Sequence, residues 1–207
     1  MAQAVTAPRK TRIQAQNEEL ILKAALEAFS AYGFHGATVD QIATSCGLSK
    51  PNLLYYFRRK EDIYVAVLEH TLRDWLEPLR SLDAEGEPIA EISRYIRTKI
   101  RLSRDNPKAS RLFANEILHG ATAIGAYLRG PLKALVDEKA AVIRRWTAEG
   151  RLNAIDPHHL IFAIWATTQH YADFDTQVSA VMGNPPDLME KAEETLTTLF
   201  VEGLRPR

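Results

Sequence analysis

The sequence predicts an all-α protein built from two domains, at residues 14–60 and 61–207. Three observations support this fold class. Apolar residues recur at helical spacing along most of the 207-residue chain. Several segments begin with Asp or Asn followed by proline. Proline fits the first turn of a helix, because the backbone N–H groups of that turn have no acceptor within the helix. No stretch alternates between apolar and polar residues as a half-buried strand does.

The N-terminal region is expected to begin with a disordered basic arm at residues 1–13. A first helix is predicted from about Gln14 to Tyr32, because apolar residues from Leu20 to Phe29 give it one buried face. Gly33 is expected to end this helix.

Two short helices joined by a tight turn are predicted between Thr38 and Lys60. Thr38 is expected to cap the first of them, and Gly47 follows it where a left-handed backbone costs glycine little. Ser49 then caps the second helix, and Pro51 lies in its first turn. Helix, glycine-containing turn and helix together form the helix-turn-helix pattern, whose second helix enters the major groove of DNA.

The distribution of charge agrees with a nucleic-acid partner at one end of the chain. Residues 1–60 hold eight Lys or Arg against four Asp or Glu, a balance of +4, although the whole chain has a formal net charge of zero. The single cysteine, Cys46, excludes an intramolecular disulfide. Because no apolar run reaches membrane length and no signal-peptide core follows Met1, we expect a cytoplasmic protein with no membrane partner.

The second domain is predicted to be helical throughout, from the same start and stop signals. Its expected helices cover residues 60–79, 88–103, 107–118, 131–149, 157–182 and 187–204. The helix at 157–182 is apolar nearly all the way round, so most of its surface must be covered. A second copy of the chain, docked through this helix and the last one, is favoured over a buried central helix in a monomer.

The order of these residues resembles the TetR family of one-component regulators. The segment that carries the resemblance is AALEAFSAYGFHGATVDQIATSCGLSKPNLLYYFRRKEDIYVAVL. The segments ASRLF, LKALVDEKAA and IDPHHLIFAIWATTQHYADF extend it, over nearly the whole chain, to regulators of pyrimidine utilisation within that family. The resemblance implies a three-helix DNA-binding domain followed by a helical ligand-binding and dimerisation domain. It further implies a homodimer, a double-stranded inverted-repeat operator, and uracil or thymine as effector of a regulator that is mainly a repressor.

Seven residues are predicted to contact DNA. The resemblance places Thr38 and Lys60 at phosphates flanking the groove, where helix N-termini attract anions. On the second helix of the motif, asparagine can pair with adenine, lysine can reach guanine or phosphate, and tyrosine can contact phosphate or a thymine methyl group. The residues predicted there are Ser49, Lys50, Asn52, Tyr55 and Tyr56. For Tyr55, packing with a solvated hydroxyl is an equally good alternative.

An effector site is predicted around Gln169, a polar side chain one turn from Trp165 on an otherwise apolar face. A primary amide can answer both the N–H and the carbonyl groups of a uracil-like ring, and tryptophans offer flat surfaces for stacking. The alternative is ordinary core packing, with Gln169 bonded to a backbone carbonyl; the resemblance favours the effector site. The predicted set is Trp75, Leu76, Arg111, Phe113, Trp165, Gln169, Tyr171 and Asp173.

One departure from the TetR pattern lies before the fourth helix. The family often has a small turn residue followed by Ser or Asn there, whereas this chain has Arg58 and Arg59. The Arg59 side chain cannot accept a capping bond. Either the turn is organised differently, or attraction to phosphate offsets the lost cap of about 1 kcal/mol.

Two other functions compete with this one. Histidines and carboxylates between His158 and Asp175 suggest a metal or hydrolase site, but His159 and His170 would lie about 16 Å apart along a helix. No HExxH, GxSxG or P-loop motif occurs. We therefore predict no enzyme, no catalytic residue, no metal and no cofactor besides the effector. A TetR-type repressor that responds to another small apolar effector, for example in control of efflux, is the open alternative.

Overall fold

The computed structural model describes residues 11–206, which are helical without any strand and confirm the all-α fold class. Contacts divide the chain into two units, residues 1–67 and 68–207. The boundary falls seven residues later than the predicted one at residue 60. The reason is that the first turns of the fourth helix belong to the N-terminal core. Ile63 is fully buried there, and the ring of Tyr64 lies edge-on to Phe29 with 5.1 Å between centroids.

The N-terminal unit contains three complete helices, α1 (Arg12–Gly36), α2 (Val39–Ser45) and α3 (Lys50–Tyr56), and the start of α4 (Lys60–Arg80). Each contributes fully buried side chains to one small core: Ile21, Phe29, Ile42, Leu53 and Ile63. Leu20, predicted to lie on the buried face of α1, is exposed.

The first helix begins two residues before the predicted Gln14. Thr11 and Gln14 form a capping box, in which the Thr11 hydroxyl accepts the Gln14 N–H at 3.2 Å and the Gln14 side chain accepts the Thr11 N–H at 2.9 Å. Residues 11–13 therefore do not belong to a disordered arm, and the rest of the predicted arm, residues 1–10, lies outside the described residues. Gly33 interrupts α1 with a φ of 69°, at the position where its end was predicted.

The C-terminal unit is a helical bundle around α9. Its elements after α4 are α5 (Pro88–Asp105), α6 (Pro107–Leu118), α7 (Gly125–Tyr127), a π-helical turn (Leu128–Leu132), α8 (Lys133–Ala148), α9 (Pro157–Asp173), α10 (Asp175–Met182) and α11 (Leu188–Leu204). Helix α9 packs against α5, α6 and α8, while α11 packs mainly against α5. In the part of the chain that the structure describes, no helix has the length and apolar character to cross a membrane.

The predicted continuous helix at 157–182 is wrong, because Phe174 breaks it with φ −116° and ψ 34°. Side chains of α6 form hydrogen bonds to residues on both sides of the break. The Arg111 guanidinium donates to the Ala172 carbonyl at 3.3 Å and to the Asp175 carboxylate at 2.9 Å, and the Ser110 hydroxyl donates to Asp173. These tertiary bonds replace the intrahelical ones that are lost at the break.

The predicted helix start at Pro131 is also wrong. Helical structure begins at Gly125 and passes through Pro131 by the π-helical turn before α8 continues. Proline removes one backbone N–H and its ring crowds the preceding turn, and a widened π turn accommodates both effects without ending the helical path.

Candidate DNA-binding surface and effector site

The turn between α2 and α3 has the predicted capping residues. The Thr38 hydroxyl accepts the Gln41 N–H at 3.2 Å, and the Gln41 side chain accepts the Thr38 N–H at 2.8 Å. Gly47 adopts a φ of 71°, and the Ser49 hydroxyl accepts the Asn52 N–H at 3.3 Å. Both caps and the glycine turn are therefore confirmed.

Helix α3 buries one side and presents the other to solvent. Leu53 is completely buried and anchors the helix, while Lys50, Asn52 and Tyr55 are exposed and Tyr56 is half-buried. The side-chain amide of Asn52 has no hydrogen-bond partner within residues 11–206, so both its donor and its acceptor are available to a base edge. The orientation suits DNA reading, and the individual contacts stay predictions.

Lys50, at the start of α3, forms an ion pair with the neighbouring helix. Its ammonium lies 2.7 Å from a carboxylate oxygen of Asp40 on α2, and both side chains are at least half exposed. Exposed pairs of this kind contribute about 0.2–1 kcal/mol. The pair therefore orients Lys50 without holding it so firmly that DNA could not draw it away.

The two tyrosines of α3 are held from α1. The Asn17 amide donates to the Tyr56 hydroxyl oxygen at 2.7 Å, and the Gln14 amide reaches the Tyr55 oxygen at 3.4 Å. A tyrosine oxygen that accepts one bond still has its own O–H to donate. Tyr56 can therefore offer that proton to a phosphate while Asn17 holds the oxygen in place.

Lys60 has an internal structural role that the sequence did not reveal. Its ammonium donates to the carbonyls of Phe34 and Ala37, at 2.7 and 3.0 Å, and lies 4.6 Å from the Phe34 ring centroid. These bonds tie the start of α4 to the connection between α1 and α2. The third N–H of the Lys60 ammonium can still donate to a phosphate, and that predicted contact stays a prediction.

The turn before α4 is organised by Asp62. Its carboxylate accepts the backbone N–H of Arg59 at 3.1 Å and the Arg59 guanidinium at 2.9 Å. The bond from the guanidinium is the main reason that the pKa of Asp62 lies below its ordinary value. Of the two explanations offered for the missing Ser or Asn cap, the structure therefore supports a differently organised turn.

In the C-terminal unit, the predicted effector residues Trp75 and Phe113 contact each other, and Leu76, the neighbour of Trp75 in sequence, is also buried. The rings of Trp75 and Phe113 meet edge-on at 5.8 Å between centroids, and Leu76 is buried at 4% exposure. The ammonium of Lys99, a residue that the sequence reasoning missed, lies 4.8 Å from the Trp75 ring centroid.

Trp165 and Gln169 lie one turn apart on α9. The Trp165 indole N–H donates to the Tyr95 hydroxyl at 2.5 Å, and burial raises the pKa of that tyrosine above its ordinary value. Gln169 and Tyr171 are half-buried, and the Gln169 amide has no hydrogen-bond partner among residues 11–206. The alternative in which Gln169 bonds a backbone carbonyl is thus not realised.

Asp173 and Arg111 take part in hydrogen bonds that join α6 to the end of α9. Asp173 accepts the Ser110 hydroxyl, and burial raises the pKa of its carboxyl while that hydrogen bond lowers it. Arg111 is engaged by Asp175. Asp173 is therefore placed to accept a hydrogen bond near the site, whereas Arg111 mainly stabilises the end of α9.

Sequence reasoning missed Tyr95, Lys99 and Ser110. All three are buried polar side chains, and Tyr95 and Lys99 occupy successive turns of the buried face of α5. The sequence already shows Lys99 on the same helix face as Ile92, Ile96 and Ile100, which indicates a buried lysine. Tyr95 also lines a surface cavity of about 330 Å³, whose lining includes none of the predicted effector residues.

The described residues hold no cluster of three or more His, Cys, Asp or Glu side chains that could bind a metal ion. His158 instead lies 3.1 Å from Asp137, and His170 stacks on Phe174 at 5.1 Å. His158 and His170 thus each contact another side chain.

Two family models match adjacent parts of the chain and meet where the contacts divide it. Residues 21–67 match the bacterial regulatory proteins of the tetR family. Residues 68–207 match the C-terminal region of YcdC-like proteins, a domain of TetR-type regulators. The chain belongs to the TetR family. It is a DNA-binding transcriptional regulator and not an enzyme, and TetR regulators bind operators as dimers.

Individual TetR-family proteins are similar over most of the chain. The HTH-type transcriptional regulator RutR of Escherichia coli (strain K12) is 48% identical over 205 residues, which cover 98% of this chain and 97% of the relative. The HTH-type transcriptional repressor NicS of Pseudomonas putida is 30% identical over 144 residues, 66% of either chain. The solved structure of a TetR-like transcriptional regulator from Rhodococcus sp. RHA1 has a TM-score of 0.66 at 21% identity, covering 94% of this chain and 96% of that one. That likeness supports the fold alone.

Proposed function

We propose that this TetR-family regulator represses genes of pyrimidine and nitrogen metabolism and that uracil or thymine releases it from an inverted-repeat operator. The observation that carries the proposal is the 48% identity to RutR, which spans 98% of this chain and so includes the effector-binding unit. The C-terminal domains of TetR regulators normally diverge strongly, so likeness there bears on the effector. The regulator would act in the cytoplasm and need no cofactor besides its effector.

On the DNA side, the exposed face of α3 supports the proposed contacts. Asn52 has an amide without an internal partner, Lys50 has an exposed ammonium and Tyr56 has an O–H that can still donate, which together offer donors and acceptors to base edges and phosphates. In a dimer that reads half-sites one helical turn apart, two such helices would lie about 34–36 Å from each other. The operator would then be an inverted repeat.

The proposed dimer contact uses α9 and α11. Phe162 on α9 is 51% exposed and Leu199 on α11 is 65% exposed, although both helices bury their other faces within the chain. Large apolar side chains left open on two helices of one bundle fit a four-helix contact between two copies. Family membership supports the same assembly.

On the effector side, the proposal uses Trp75, Phe113, Trp165, Gln169 and Asp173. The aromatic side chains provide apolar and stacking surface, the unpaired Gln169 amide offers a donor and an acceptor, and Asp173 offers an acceptor. Uracil and thymine present alternating N–H and carbonyl groups that match such a set. Since the coupling is reciprocal, the factor by which uracil weakens operator binding must equal the factor by which operator weakens uracil binding.

The proposal can be tested by selecting bound DNA from random duplexes with and without uracil, followed by isothermal titration of the DNA-free protein. We expect an inverted repeat to be enriched only without uracil, and heat from uracil or thymine but not from cytosine. Binding of an apolar drug in place of pyrimidines would favour the efflux alternative. Operator binding that is unchanged by every pyrimidine would refute the proposed effector.

A further inference from the structure

Lys99 is a buried residue whose ammonium group has no hydrogen-bond acceptor among residues 11–206. The residue is 3% exposed, and within residues 11–206 its three N–H donors contact only the face of Trp75, at 4.8 Å. Burial lowers its pKa to about 8, although the negative charge of Asp173 opposes that shift. A charged group in this position is expensive unless something else accepts its hydrogen bonds.

The other buried lysine of the described chain shows what a structural lysine looks like. Lys139, at 7% exposure, pairs with Glu138 at 3.0 Å and donates to the Leu82 carbonyl at 3.4 Å. Lys99 has neither kind of partner, and only the face of Trp75 and the charge of Asp173 offset its burial. A ligand that accepts a hydrogen bond would satisfy the donors that these two interactions leave open.

The surroundings of Lys99 indicate the chemistry of that acceptor. Trp75 and Phe113 provide flat apolar surface, and Asp173 provides an acceptor on α9 whose charge is felt at Lys99. An ammonium donor, a carboxylate acceptor and an aromatic wall complement a planar ring in which a carbonyl stands next to an N–H. Cyclic imides and lactams, including the pyrimidinediones, have this arrangement.

We infer that Lys99 is an effector-binding residue that donates to a ring carbonyl oxygen of a planar imide, while Asp173 accepts an adjacent ring N–H. This inference rests on the proposed function and extends it by naming the groups that read the ring. It predicts that Lys99 tells uracil from pyrimidinones that lack one of the two carbonyls.

The test compares uracil, 2-pyrimidinone and 4-pyrimidinone by isothermal titration of the full chain, in the wild type, Lys99→Met, Lys99→Gln and the matched control Lys139→Met. We expect the Lys99 variants to bind uracil about 10- to 100-fold more weakly, the loss of a hydrogen bond to a charged group. One pyrimidinone should bind wild type and Lys99→Met equally, because the carbonyl held by Lys99 is missing from it. Lys139→Met should bind uracil as the wild type does.

The possible failures are distinguishable. Unchanged uracil binding by folded Lys99→Met and Lys99→Gln, or equal losses for all three ligands, would overturn the role of Lys99 and leave the proposed function standing. A wild type that binds none of the three rings would overturn the proposed function and this inference together. Thermal melting of each variant establishes that it is folded before titration.

Discussion

Replacing Lys99 by methionine is expected to stabilise the effector-free protein at neutral pH. Burial lowers the pKa of Lys99 from 10.5 to about 8, and each unit of pKa corresponds to about 1.36 kcal/mol. The folded chain therefore carries a cost on the order of 3 kcal/mol for keeping this side chain charged. Methionine has a similar volume and no charge, so Lys99→Met removes that cost.

The same pKa shift gives the sign of the pH dependence. Between about pH 8 and pH 10 the unfolded chain binds the Lys99 proton and the folded chain releases it, so the free energy of unfolding rises with pH in this window. Below pH 8 both states hold the proton and the full cost applies. Burial raises the pKa of Tyr95 above its ordinary value of 10.0, which acts in the opposite direction only above that pH.

The assay is urea unfolding at one fixed protein concentration, since stability of a dimer depends on concentration. Wild type, Lys99→Met and Lys139→Met are compared at about pH 7 and about pH 9.5. We expect Lys99→Met to exceed the wild type at the lower pH and the difference to shrink at the higher pH. Lys139→Met, which breaks an ion pair, should be less stable than the wild type. A Lys99→Met protein that is less stable at pH 7, or a difference that does not change with pH, would refute the reasoning.

The DNA-binding unit supports three further predictions. Asp40→Asn frees Lys50 and removes a negative charge beside DNA, so fluorescence anisotropy should show tighter non-specific binding. The slope of the logarithm of the binding constant against the logarithm of the salt concentration should become steeper by roughly 0.9, and an unchanged slope would contradict the ion pair. Asn17→Asp offers the Tyr56 O–H an internal acceptor and should weaken operator binding about 10-fold, an effect that Tyr56→Phe should abolish in a double-mutant cycle. Gly47→Ala meets no atom within 4 Å but keeps a φ of 71°, so it should cost about 1 kcal/mol in urea unfolding without a change in the operator sequence selected.

Local chemistry explains why the helix-turn-helix was predicted well. Thr38 and Ser49 cap through bonds to residues three positions away, and Gly47 needs its positive φ for the turn itself. Such features depend on neighbours in sequence and can be read from it. The outward placement of Asn52 and Tyr55 follows once buried Leu53 fixes the face of α3.

Features that depend on distant partners were not predictable in the same way. The break at Phe174 lies in a segment without glycine or proline, and it is stabilised by Arg111 of α6, more than sixty residues earlier in the chain. The sequence predicts only a phosphate contact for Lys60. It does not reveal the bonds from Lys60 to the Phe34 and Ala37 carbonyls, because these carbonyls lie at the end of another helix. In each case the deciding bond is tertiary.

The predicted effector residues, which stay predictions, show a third situation, in which the signal is local and a second helix carries it as well. Attention to Trp165 and Gln169 followed from a polar residue on an apolar face of α9. The same rule applied to α5 identifies Tyr95 and Lys99, which lie in register with its buried isoleucines. A buried lysine is the stronger indicator of the two, because an unpaired ammonium costs far more to bury than an unpaired amide.

Lys99 differs from Lys50 and Tyr56 in whether the described chain offers its polar atoms a hydrogen-bond partner. Lys50 and Tyr56 have internal partners in the DNA-free chain, and those partners are exposed or half-exposed, so DNA can replace Asp40 at little cost and add a bond to Tyr56. Lys99 has no hydrogen-bond acceptor among residues 11–206, so a ligand carbonyl that reaches it displaces no internal bond of Lys99 and gives up only its own bonds to water. Release from the operator then depends on how much more tightly the ring binds the conformation that leaves DNA than the one that holds it, because a ligand with equal affinity for both conformations shifts nothing.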